Sequence, residues 1–536
     1  MSDVPSLADE DTSNFATMNA IWNVSTTGNA VRATLTEGNL RASPSASGSW
    51  NQGLSTICAT SSGKYYAEFK YESGSGDVSI GIGADTFRGP YVLGSGTDSY
   101  GYFTNGNKFY NNTGAGVSYG ASWGSGDIIG VAFDLDAGTL TFYKNNASQG
   151  TAFTGISTTT KWLIGTSVTS SANIVANYGQ RPFAYTPPTG FKKLNTFNLP
   201  DSTIEDGSEH FVTKLFTGDG SNNRFISTGF STDFTWLKNT GTTNSHYLSD
   251  TVRGNEKAIF SNSTAAEYNY SSVGGLSFAT GGITVDTGTS NVFNTSSGSF
   301  VTWNWRGSDS TAASNTDGSL TSTVSANPTA GFSIVKVTGT STGVTTIGHG
   351  LGIVPKMILK KTTSHTTNWG VYHASAGASQ VGHLNLTNTF SSSGEWGSTT
   401  PTTSVFSNYV NNGYTDIFYC FADVEGYSKF GGYTGNGSTD GAFVYTGFRP
   451  TWIMVKGVSN GGSWHMWDDK RGPINVNQAR LLADTSDAEA TISGVNLDML
   501  SNGFKLRNSD GAMNGSARTY VYMAFAENPF KNSNAR

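Results

Sequence analysis

The sequence predicts an all-β protein with several domains, and three observations support this. Charged residues make up only 13% of the 536 residues, whereas glycine occurs 67 times and aromatic residues make up 12%. Thr, Ser, Val, Tyr and Phe are abundant and strong helix formers are scarce, a balance that favours short strands joined by many turns. A chain of this length corresponds to roughly three to five domains, and a pattern in its second half recurs about every hundred residues.

Charge and apolar patterning exclude several kinds of partner. The formal net charge of −6 is spread without a basic patch, which argues against nucleic acid binding. The first residues, MSDVPSLADEDTS, are acidic and lack the apolar core of a secretory signal. No run approaches the ~20 apolar residues of a membrane-spanning helix, so we expect no membrane insertion. Cys58 and Cys420 fall in different predicted domains and are expected to be buried thiols.

The first 200 residues contain regular strand signals. Residues 1–17 are polar and acidic and are expected to form an extended arm, with a disordered tail as the alternative. In KYYAEFKY at residues 64–71 the side chains alternate in character as they do along a β-strand. DIIGVAFDLD at residues 127–136 turns into TLTFYK at residues 139–144, which predicts a β-hairpin.

Residues 18–200 also resemble a SPRY domain. Five motifs occur in the expected order: GKYYAEFKY, SYGYFTNGNKFYNN, GDIIGVAFDLDAGTLTFYKNN, GTAFTGI and NYGQRPFAYTPPTGFKKLNT. The resemblance implies a lectin-like sandwich of two bent sheets whose rim loops bind protein or glycan partners. It implies no catalytic residue. The segment from Pro182 to Pro200 is similar to that of phage-encoded SPRY proteins.

A second pattern occurs three times. It begins as LFTGDGSNNRFISTGF at Leu215, VTGTSTGVTTIGHGLG at Val337 and YTGNGSTDGAFVYTGF at Tyr433. Each copy has two glycines eleven or twelve residues apart, then an apolar strand that ends on a lysine. We assign the closing lysines as Lys238, Lys360 and Lys456. The copies predict three β-sandwich-like units of about 100 residues.

The repeats set the predicted boundaries of the second half. This half resembles the uncharacterised C-terminal region of phage virion proteins described as tail-fibre-like, through GHGLGIVPKMILKK, GYSKFGGYTGNGSTDG and LSNGFKLR with TYVYMAFAENPFK. The resemblance implies a virion context and no chemistry. The predicted segments are unit 1 at 201–308, a Ser/Thr-rich linker at 309–330, unit 2 at 331–424 and unit 3 at 425–536.

No catalytic constellation is predicted. A glycosidase needs two carboxylates facing each other across a cleft. Asp468 and Asp469 are adjacent and point apart, and a hairpin turn explains Asp136 beside Asp134. His349 lies between glycines where the other copies have threonine, so a turn role is expected. A GxSxG motif is absent.

Metal ligation is also not expected. The seven histidines are scattered, without HxxxH or CxxC spacing. The oxygen-rich turns TGDGSNN and TGNGSTDG could hold Ca²⁺, but they lack an ordered ligand series and turn chemistry explains them. We therefore predict no cofactor and no metal.

Binding remains as the expected activity. Aromatic side chains with polar tips suit contacts with proteins or sugars. The alternative is that these side chains pack the core, and their recurrence at equivalent repeat positions favours that alternative. The candidates are Tyr100, Tyr102, Tyr110 and Trp123 in the SPRY-like region, and Trp369, His373, Trp464 and Trp467 in units 2 and 3.

Together these observations predict a non-enzymatic bacteriophage virion protein. It would be a tail fibre, appendage or surface decoration that attaches to the host through a glycan or protein receptor. It is expected to contact other virion proteins and to form a homo-oligomer, with a trimer favoured. Two alternatives stay open: a depolymerase that cleaves host-surface glycan, and a purely structural capsid or tail component.

Overall fold

The computed structural model describes residues 10–11, 13–20, 30–46, 48–87, 92–111, 114–308, 310–492 and 494–529. Over these residues the predicted all-β class is confirmed, because the only helical element is a 3-10 turn at Gly207–Glu209. No helix in this part of the chain has the length and apolar character to cross a membrane. The chain divides into two compact units, one up to Asp201 and one from Ser202 onward.

The first unit is a sandwich of two sheets. Its strands are β1 (Ala30–Arg32), β2 (Thr34–Thr36), β3 (Arg41–Ser43), β4 (Trp50–Ala59), β5 (Lys64–Ser73), β6 (Val78–Ala84), β7 (Ser99–Phe103), β8 (Asn107–Tyr110), β9 (Val117–Ser118), β10 (Ile128–Asp134), β11 (Thr139–Lys144), β12 (Ala147–Phe153), β13 (Trp162–Val168), β14 (Asn173–Asn177) and β15 (Lys192–Lys193). One sheet has the order β1-β4-β13-β6-β7-β8-β9, and the other has the order β12-β11-β10-β5-β14-β3-β2 with β15 beside β5. The antiparallel pairing of β10 with β11 confirms the predicted hairpin.

The described part of the N-terminal segment packs on this sandwich. Phe15 forms a bridge with Asn195, and Met18 forms one with Ser55. The Ala16 amide donates to the Leu194 carbonyl at 3.0 Å, and Ala16 is fully buried. Residues 13–17 of the predicted arm therefore pair their backbone groups with the domain itself. Residues 1–9 and 12 of that prediction lie outside the described residues.

The second unit contains three similar groups of strands, which we call repeats 1, 2 and 3. Repeat 1 has β16 (Phe211–Thr217), β17 (Arg224–Ser227), β18 (Phe234–Asn239), β19 (Tyr247–Asp250), β20 (Lys257–Phe260), β21 (Tyr268–Asn269), β22 (Leu276–Ala279), β23 (Gly282–Val285) and β24 (Ser299–Trp305). Repeat 2 has β25 (Ala313–Asn315), β26 (Ser322–Asn327), β27 (Phe332–Thr338), β28 (Gly343–Gly348), β29 (Met357–Thr362), β30 (Gly370–His373), β31 (Gln380–Val381), β32 (Ser391–Ser392), β33 (Val405–Val410) and β34 (Thr415–Phe421). Repeat 3 has β35 (Ser428–Thr434), β36 (Phe443–Tyr445), β37 (Trp452–Gly457), β38 (His465–Asp468), β39 (Ala479–Leu482), β40 (Ala490–Thr491), β41 (Leu497–Leu500), β42 (Gly503–Leu506) and β43 (Thr519–Phe525).

Each repeat pairs a large sheet with a small outer sheet. The large sheets have the orders β16-β24-β18-β19-β20-β21, β25-β26-β27-β34-β29-β30 and β35-β43-β37-β38-β39-β40. The small sheets are β17-β23-β22, β28-β33 and β36-β42-β41. Each repeat has its own apolar cluster that contains residues of both sheets. This arrangement fits the predicted sandwich-like unit.

Strand register defines which residues are equivalent in the three repeats. Phe234, Met357 and Trp452 lie opposite Trp305, Phe421 and Phe525 in their respective sheets. Four residues further along the strand, the equivalent lysines are Lys238, Lys361 and Lys456, and all three are buried. The assignment of Lys360 was wrong by one position, because the turn after Gly350 is longer in repeat 2. Lys360 instead forms an ion pair with Glu395 at 2.9 Å.

The segment predicted as a linker is part of repeat 2. Strand β26 pairs antiparallel with β27 over Thr323–Asn327, and β25 pairs with β26. Leu320 and Val324 are buried in the apolar cluster of this repeat. The linker prediction at 309–330 is therefore corrected over its described residues. Serine and threonine are compatible with strands when the backbone has a partner.

The three repeats share one central core. A single apolar cluster contains residues from the large sheets of all three. At its centre the equivalent rings of Trp305, Phe421 and Phe525 contact one another, with centroid separations of 5.6 to 6.2 Å. The repeats therefore form a ring around a common core and act as one domain. Both cysteines are buried, as predicted.

Candidate functional site

Seven of the eight predicted binding residues are buried. Tyr110 alone is substantially exposed, at 44%. A side chain without accessible surface cannot contact a partner, so the structure favours the core alternative for the other seven. These are Tyr100, Tyr102, Trp123, Trp369, His373, Trp464 and Trp467.

Trp369 and Trp464 join neighbouring repeats, whereas Trp467 packs in the apolar cluster of repeat 3. Trp369 Nε1 donates to the Phe260 carbonyl of repeat 1 at 2.8 Å, and Trp464 Nε1 donates to the His383 carbonyl of repeat 2 at 2.9 Å. In repeat 1 the equivalent residue is His246, which lies beside the Leu482 carbonyl of repeat 3. These positions therefore form the contacts between repeats, which we call seams. The parallel between SHYLSDTVRG and SWHMWDDKRG aligns His246 with Trp464 but does not show that the position faces another repeat.

His373 also lies at a seam. Its Nε2 lies 3.2 Å from the Tyr522 carbonyl of repeat 3, and its Nδ1 accepts from the Ser375 amide at 3.2 Å. Burial lowers the pKa of His373 to about 4, so the ring is neutral at pH 7. One nitrogen donates and the other accepts in this neutral form. His373 therefore has a structural position.

Tyr110 is exposed on a rigid support. Its ring stacks on that of Tyr100, with centroids 4.5 Å apart and planes 5° from parallel. Tyr100 is itself packed edge-on against Phe153 and Trp162, at 4.9 and 5.5 Å. Burial, with Tyr110 as a further cause, raises the pKa of Tyr100 to about 12, so this phenol stays neutral. Strand pairing fixes Tyr100 opposite Tyr110, and the exposed ring is therefore held in one orientation.

Three more side chains complete the surface around Tyr110. Val117 on β9 is 58% exposed and pairs with Lys108 of β8. The Lys108 ammonium donates to the Ala152 carbonyl of β12 and lies 5.2 Å from the Phe153 ring centre. Lys108 thus bridges the two sheets where the sandwich opens. We call Lys108, Tyr110, Val117 and Phe153 the rim.

The strand edge next to the rim is closed by side chains. Tyr119 donates its hydroxyl to the Gly150 carbonyl, and Gln149 donates to the Ala147 carbonyl at 2.8 Å. With Lys108 on Ala152, three carbonyls of β12 have side-chain donors. An edge strand whose backbone groups are occupied is protected from pairing with another chain. Recognition at the rim would therefore use side-chain contacts.

The turns considered for Ca²⁺ are held by hydrogen bonds within the fold. Asp219 accepts from the Ser221 amide at 2.9 Å and from Asn294 Nδ2 at 2.7 Å. Asn436 accepts from the Ser438 amide at 3.0 Å in the same way. These oxygens close Asx turns, which confirms the turn interpretation. The described residues include no group of three or more His, Cys, Asp or Glu side chains that could hold a metal ion.

His349 closes a turn, as predicted. Its Nδ1 accepts from the Leu351 amide, two residues on, at 3.2 Å. The equivalent threonines, Thr228 and Thr446, each donate to a carbonyl two residues on at 2.6 Å. Imidazole and hydroxyl therefore serve the same local purpose in different copies.

The four aspartates that could have formed catalytic pairs are instead engaged in ion pairs and hydrogen bonds within the fold. Asp468 binds Arg471 at 2.6 Å and Asp469 binds Arg449 at 2.8 Å. Asp134 binds Lys64 at 2.8 Å. Asp136 accepts from the Gly63 amide at 2.7 Å. Each of these groups stabilises local structure.

Comparison with known proteins identifies both halves of the chain. A family model described as a domain of unknown function, DUF7483, matches residues 206–529, and a SPRY domain model matches residues 64–181. The Ran-binding proteins 9/10 homolog of Drosophila melanogaster is 28% identical over 171 residues, covering 32% of this chain and 17% of that protein. Ran-binding protein 10 of Danio rerio is 30% identical over 158 residues, covering 28% and 26%. The solved SPRY domain of human HERC1 matches at 21% identity with a TM-score of 0.24, covering 28% of this chain and 94% of that one.

The SPRY domain model confirms the predicted SPRY domain, and the sequence relatives overturn the predicted role. The relatives that match the SPRY region are animal proteins named for binding Ran. The predictions of a phage virion location and of a host-attachment function, with their depolymerase and capsid alternatives, are therefore wrong. This chain spans 17–29% of the length of the curated relatives it matches.

Proposed function

Because this chain belongs to the DUF7483 family and carries a SPRY domain, we propose that it is a non-enzymatic interaction protein whose rim binds a protein partner. The observation that supports this most directly is the stacking of exposed Tyr110 on buried Tyr100. Because the Tyr110 ring stacks on a buried ring, its orientation is fixed before binding, and little conformational entropy is lost when a partner binds. Tyrosine is also among the residues most often found at the energetic centre of protein interfaces.

The composition of the rim favours a protein partner. Tyr110 and Val117 supply apolar area, and the phenol supplies a hydrogen-bonding group at its edge. The Lys108 ammonium is held at the Ala152 carbonyl beside this apolar area. The names of the SPRY-region relatives make Ran the first partner to test.

The test measures binding of purified Ran to the immobilised full chain. Tyr110→Ala is expected to weaken binding at least about tenfold, because truncating an interface hot spot costs about 2 kcal/mol or more and about 1.4 kcal/mol corresponds to tenfold. Tyr268→Ala is the matched control, since Tyr268 is exposed to a similar extent, 48%, in the other domain. Absence of binding by the unmodified chain would overturn Ran as the partner. Equal weakening by the two variants would overturn the rim as its site.

A further inference from the structure

Strands β38 and β39 direct three polar side chains toward the interior of repeat 3. Met466 of β38 lies opposite Leu481 of β39, and both face the shared core. Side chains alternate along a strand, so His465, Trp467 and Arg480 lie on the other face. The register places Arg480 opposite Trp467 and diagonal to His465, a spacing that a long side chain can bridge. The three polar side chains are therefore neighbours inside one repeat.

These side chains have buried nitrogen atoms without a hydrogen-bond partner. Among the described residues, both ring nitrogens of His465, Trp467 Nε1 and Arg480 Nε are in this state. His465 is 3% exposed and Trp467 is fully buried. Their rings stack with planes 10° apart, which fixes the two side chains relative to each other. Buried polar groups are normally paired, and leaving one unpaired costs free energy, so this cluster requires an explanation.

The other two repeats show that the fold does not need these groups. Strand pairing aligns Arg480 with Ala258 and Val381, which are buried in the apolar clusters of repeats 1 and 2. The same alignment places Tyr247 and Gly370 where repeat 3 has its histidine. Repeat 3 alone combines an imidazole and a guanidinium at these two positions. Their presence therefore points to a role other than joining the two sheets.

The hydrogen-bonding chemistry of the cluster indicates what it binds. An indole nitrogen and a guanidinium nitrogen can only donate, and a neutral imidazole has one N–H group to donate. Each of the three side chains thus offers a donor. A ligand that satisfies all three must be a hydrogen-bond acceptor.

The local charge favours a negative acceptor. Burial, and then the charges of Arg480 and Lys456, lower the pKa of His465 to about 3. The charges that act on His465 are thus both positive, and none of the described acidic groups is among them. Three aspartates act on the charge of Arg480 instead. An anion beside His465 would therefore be attracted by two cations.

Access limits the size of the ligand. His465 and Trp467 are closed off from solvent, whereas Arg480 is partly exposed. The guanidinium therefore leads from the surface of repeat 3 to the buried rings. A ligand that reaches the ring nitrogens along this side chain must be small.

We propose that His465, Trp467 and Arg480 bind a small inorganic anion of halide size, such as chloride, inside repeat 3. The anion accepts hydrogen bonds from the imidazole, the indole and the guanidinium. A ligand that binds only the folded chain stabilises it, so the stability of the second domain depends on the anion concentration. This proposal does not depend on the SPRY rim.

The first experiment is thermal unfolding of the full chain at pH 7 and constant ionic strength, with gluconate replaced stepwise by chloride. The melting temperature should rise with the chloride concentration, because gluconate is too large for the enclosed site. Arg480→Val introduces the residue found in repeat 2, so this variant should fold and lose the rise. Arg518→Val is the matched control, since it removes an exposed arginine of the same repeat, and it should keep the rise.

Crystals of the unmodified chain grown with bromide give a readout that needs no variant. Anomalous scattering should place a bromide ion within hydrogen-bond distance of His465 and Arg480. If Arg480→Val fails to fold, the bromide result decides. The chloride-free buffer is also the one in which the acid response of His465 is to be measured, because a bound anion would stabilise the protonated ring.

Several results would contradict the proposal. A melting temperature that is independent of chloride would overturn it, as would crystals in which only water contacts these nitrogen atoms. A chloride effect that persists in Arg480→Val would show that the anion binds elsewhere. Loss of the effect in both Arg480→Val and Arg518→Val would indicate a general response to surface charge, and would also overturn it.

Discussion

The hydroxyl of Tyr419 donates a 2.7 Å hydrogen bond to Asp250 Oδ2 and so joins repeat 2 to repeat 1. At the equivalent place Trp303 Nε1 donates to Asp468 Oδ2 at 3.1 Å and joins repeat 1 to repeat 3. The third seam would pair Met523 with His373. Methionine has no hydrogen to donate, and here the aspartate is replaced by a histidine that reaches a backbone carbonyl. An aspartate is therefore present at the two seams where the facing side chain can donate a hydrogen bond, and a histidine replaces it at the seam where the facing side chain is methionine.

The buried aspartates at the seams should be essential for stability. Asp250 binds Arg253 at 2.5 Å, and both side chains are almost fully buried. Asp250→Ala is expected to lower the free energy of unfolding by about 3–5 kcal/mol, because it removes the buried carboxylate nearest to the buried Arg253 and leaves Glu267, 3.3 Å away, as its acidic partner. Urea unfolding of the full chain measures this. Lys429→Ala, which breaks the exposed pair with Asp423, should cost less than about 1 kcal/mol. Equal losses in the two variants would contradict the prediction.

Acid should destabilise the second domain through its buried histidines. Burial lowers the pKa of His373 to about 4 and that of His465 to about 3, and it lowers the pKa of His246 well below 6.5. The unfolded chain therefore binds more protons below about pH 6.5, so stability falls as the pH falls from there toward 4. Melting temperatures measured from pH 7 to pH 4.5 should show this decline. A constant melting temperature over that range would contradict it.

One of these histidines offers a clean variant. Both ring nitrogens of His465 are buried without a hydrogen-bond partner, and the ring stacks on Trp467 with planes 10° apart. His465→Phe keeps the stacking and removes the titrating group. This variant should be at least as stable as the unmodified chain at pH 7 and should lose less stability on acidification. A pH dependence identical to that of the unmodified chain would show that His465 does not contribute.

The three equivalent lysines should make the stability of the second domain depend on pH in the alkaline range. Burial lowers the pKa of Lys238, Lys361 and Lys456 to about 8 each. Between about pH 8 and 10 the folded chain loses these protons while the unfolded chain keeps them, so stability rises with pH over this window. Urea titrations at pH 7.5 and 9.5 test the prediction. Lys456→Met should reduce the difference between the two values, and a stability that falls over this window would contradict it.

The strand β26 should behave as part of the core. Val324 is buried in the cluster of repeat 2, so Val324→Ala is expected to cost about 1–3 kcal/mol in unfolding free energy. Thr323, its exposed neighbour, should tolerate alanine within about 0.5 kcal/mol. Chemical denaturation of both variants makes the comparison. A flexible linker would tolerate both changes equally.

Features encoded locally could be predicted from the sequence. The hairpin between β10 and β11, the turn role of His349 and the Asx turns at Asp219 and Asn436 all depend on residues close together in the chain. The recurring glycines and apolar strands likewise revealed three copies of one unit. The SPRY domain was found because its motifs follow one another in order.

Features that depend on contact between repeats could not be predicted. Trp369 and Trp464 are amphipathic, and only the neighbouring repeat shows that their indole groups donate across a seam. The linker prediction failed because the Ser/Thr-rich composition of this segment does not show that β27 has a free edge with which β26 can pair. At the rim, Tyr100 and Tyr110 are chemically alike, and the order of the strands decides which ring is exposed. The predicted function failed because it was taken from a resemblance, which the relatives of the SPRY region overturned.

The closed ring of repeats has a consequence for how the protein is made. Trp303 meets Asp468, 165 residues later in the chain, so the first repeat leaves the ribosome long before its partner exists. A nascent or prematurely terminated chain that ends before repeat 3 would leave the central ring of Trp305 and Phe421 without Phe525 and open to solvent. Contacts between such distant segments also slow folding. Completion of the DUF7483 domain therefore waits for the synthesis of repeat 3, and products truncated before that repeat are the ones that quality-control systems should recognise.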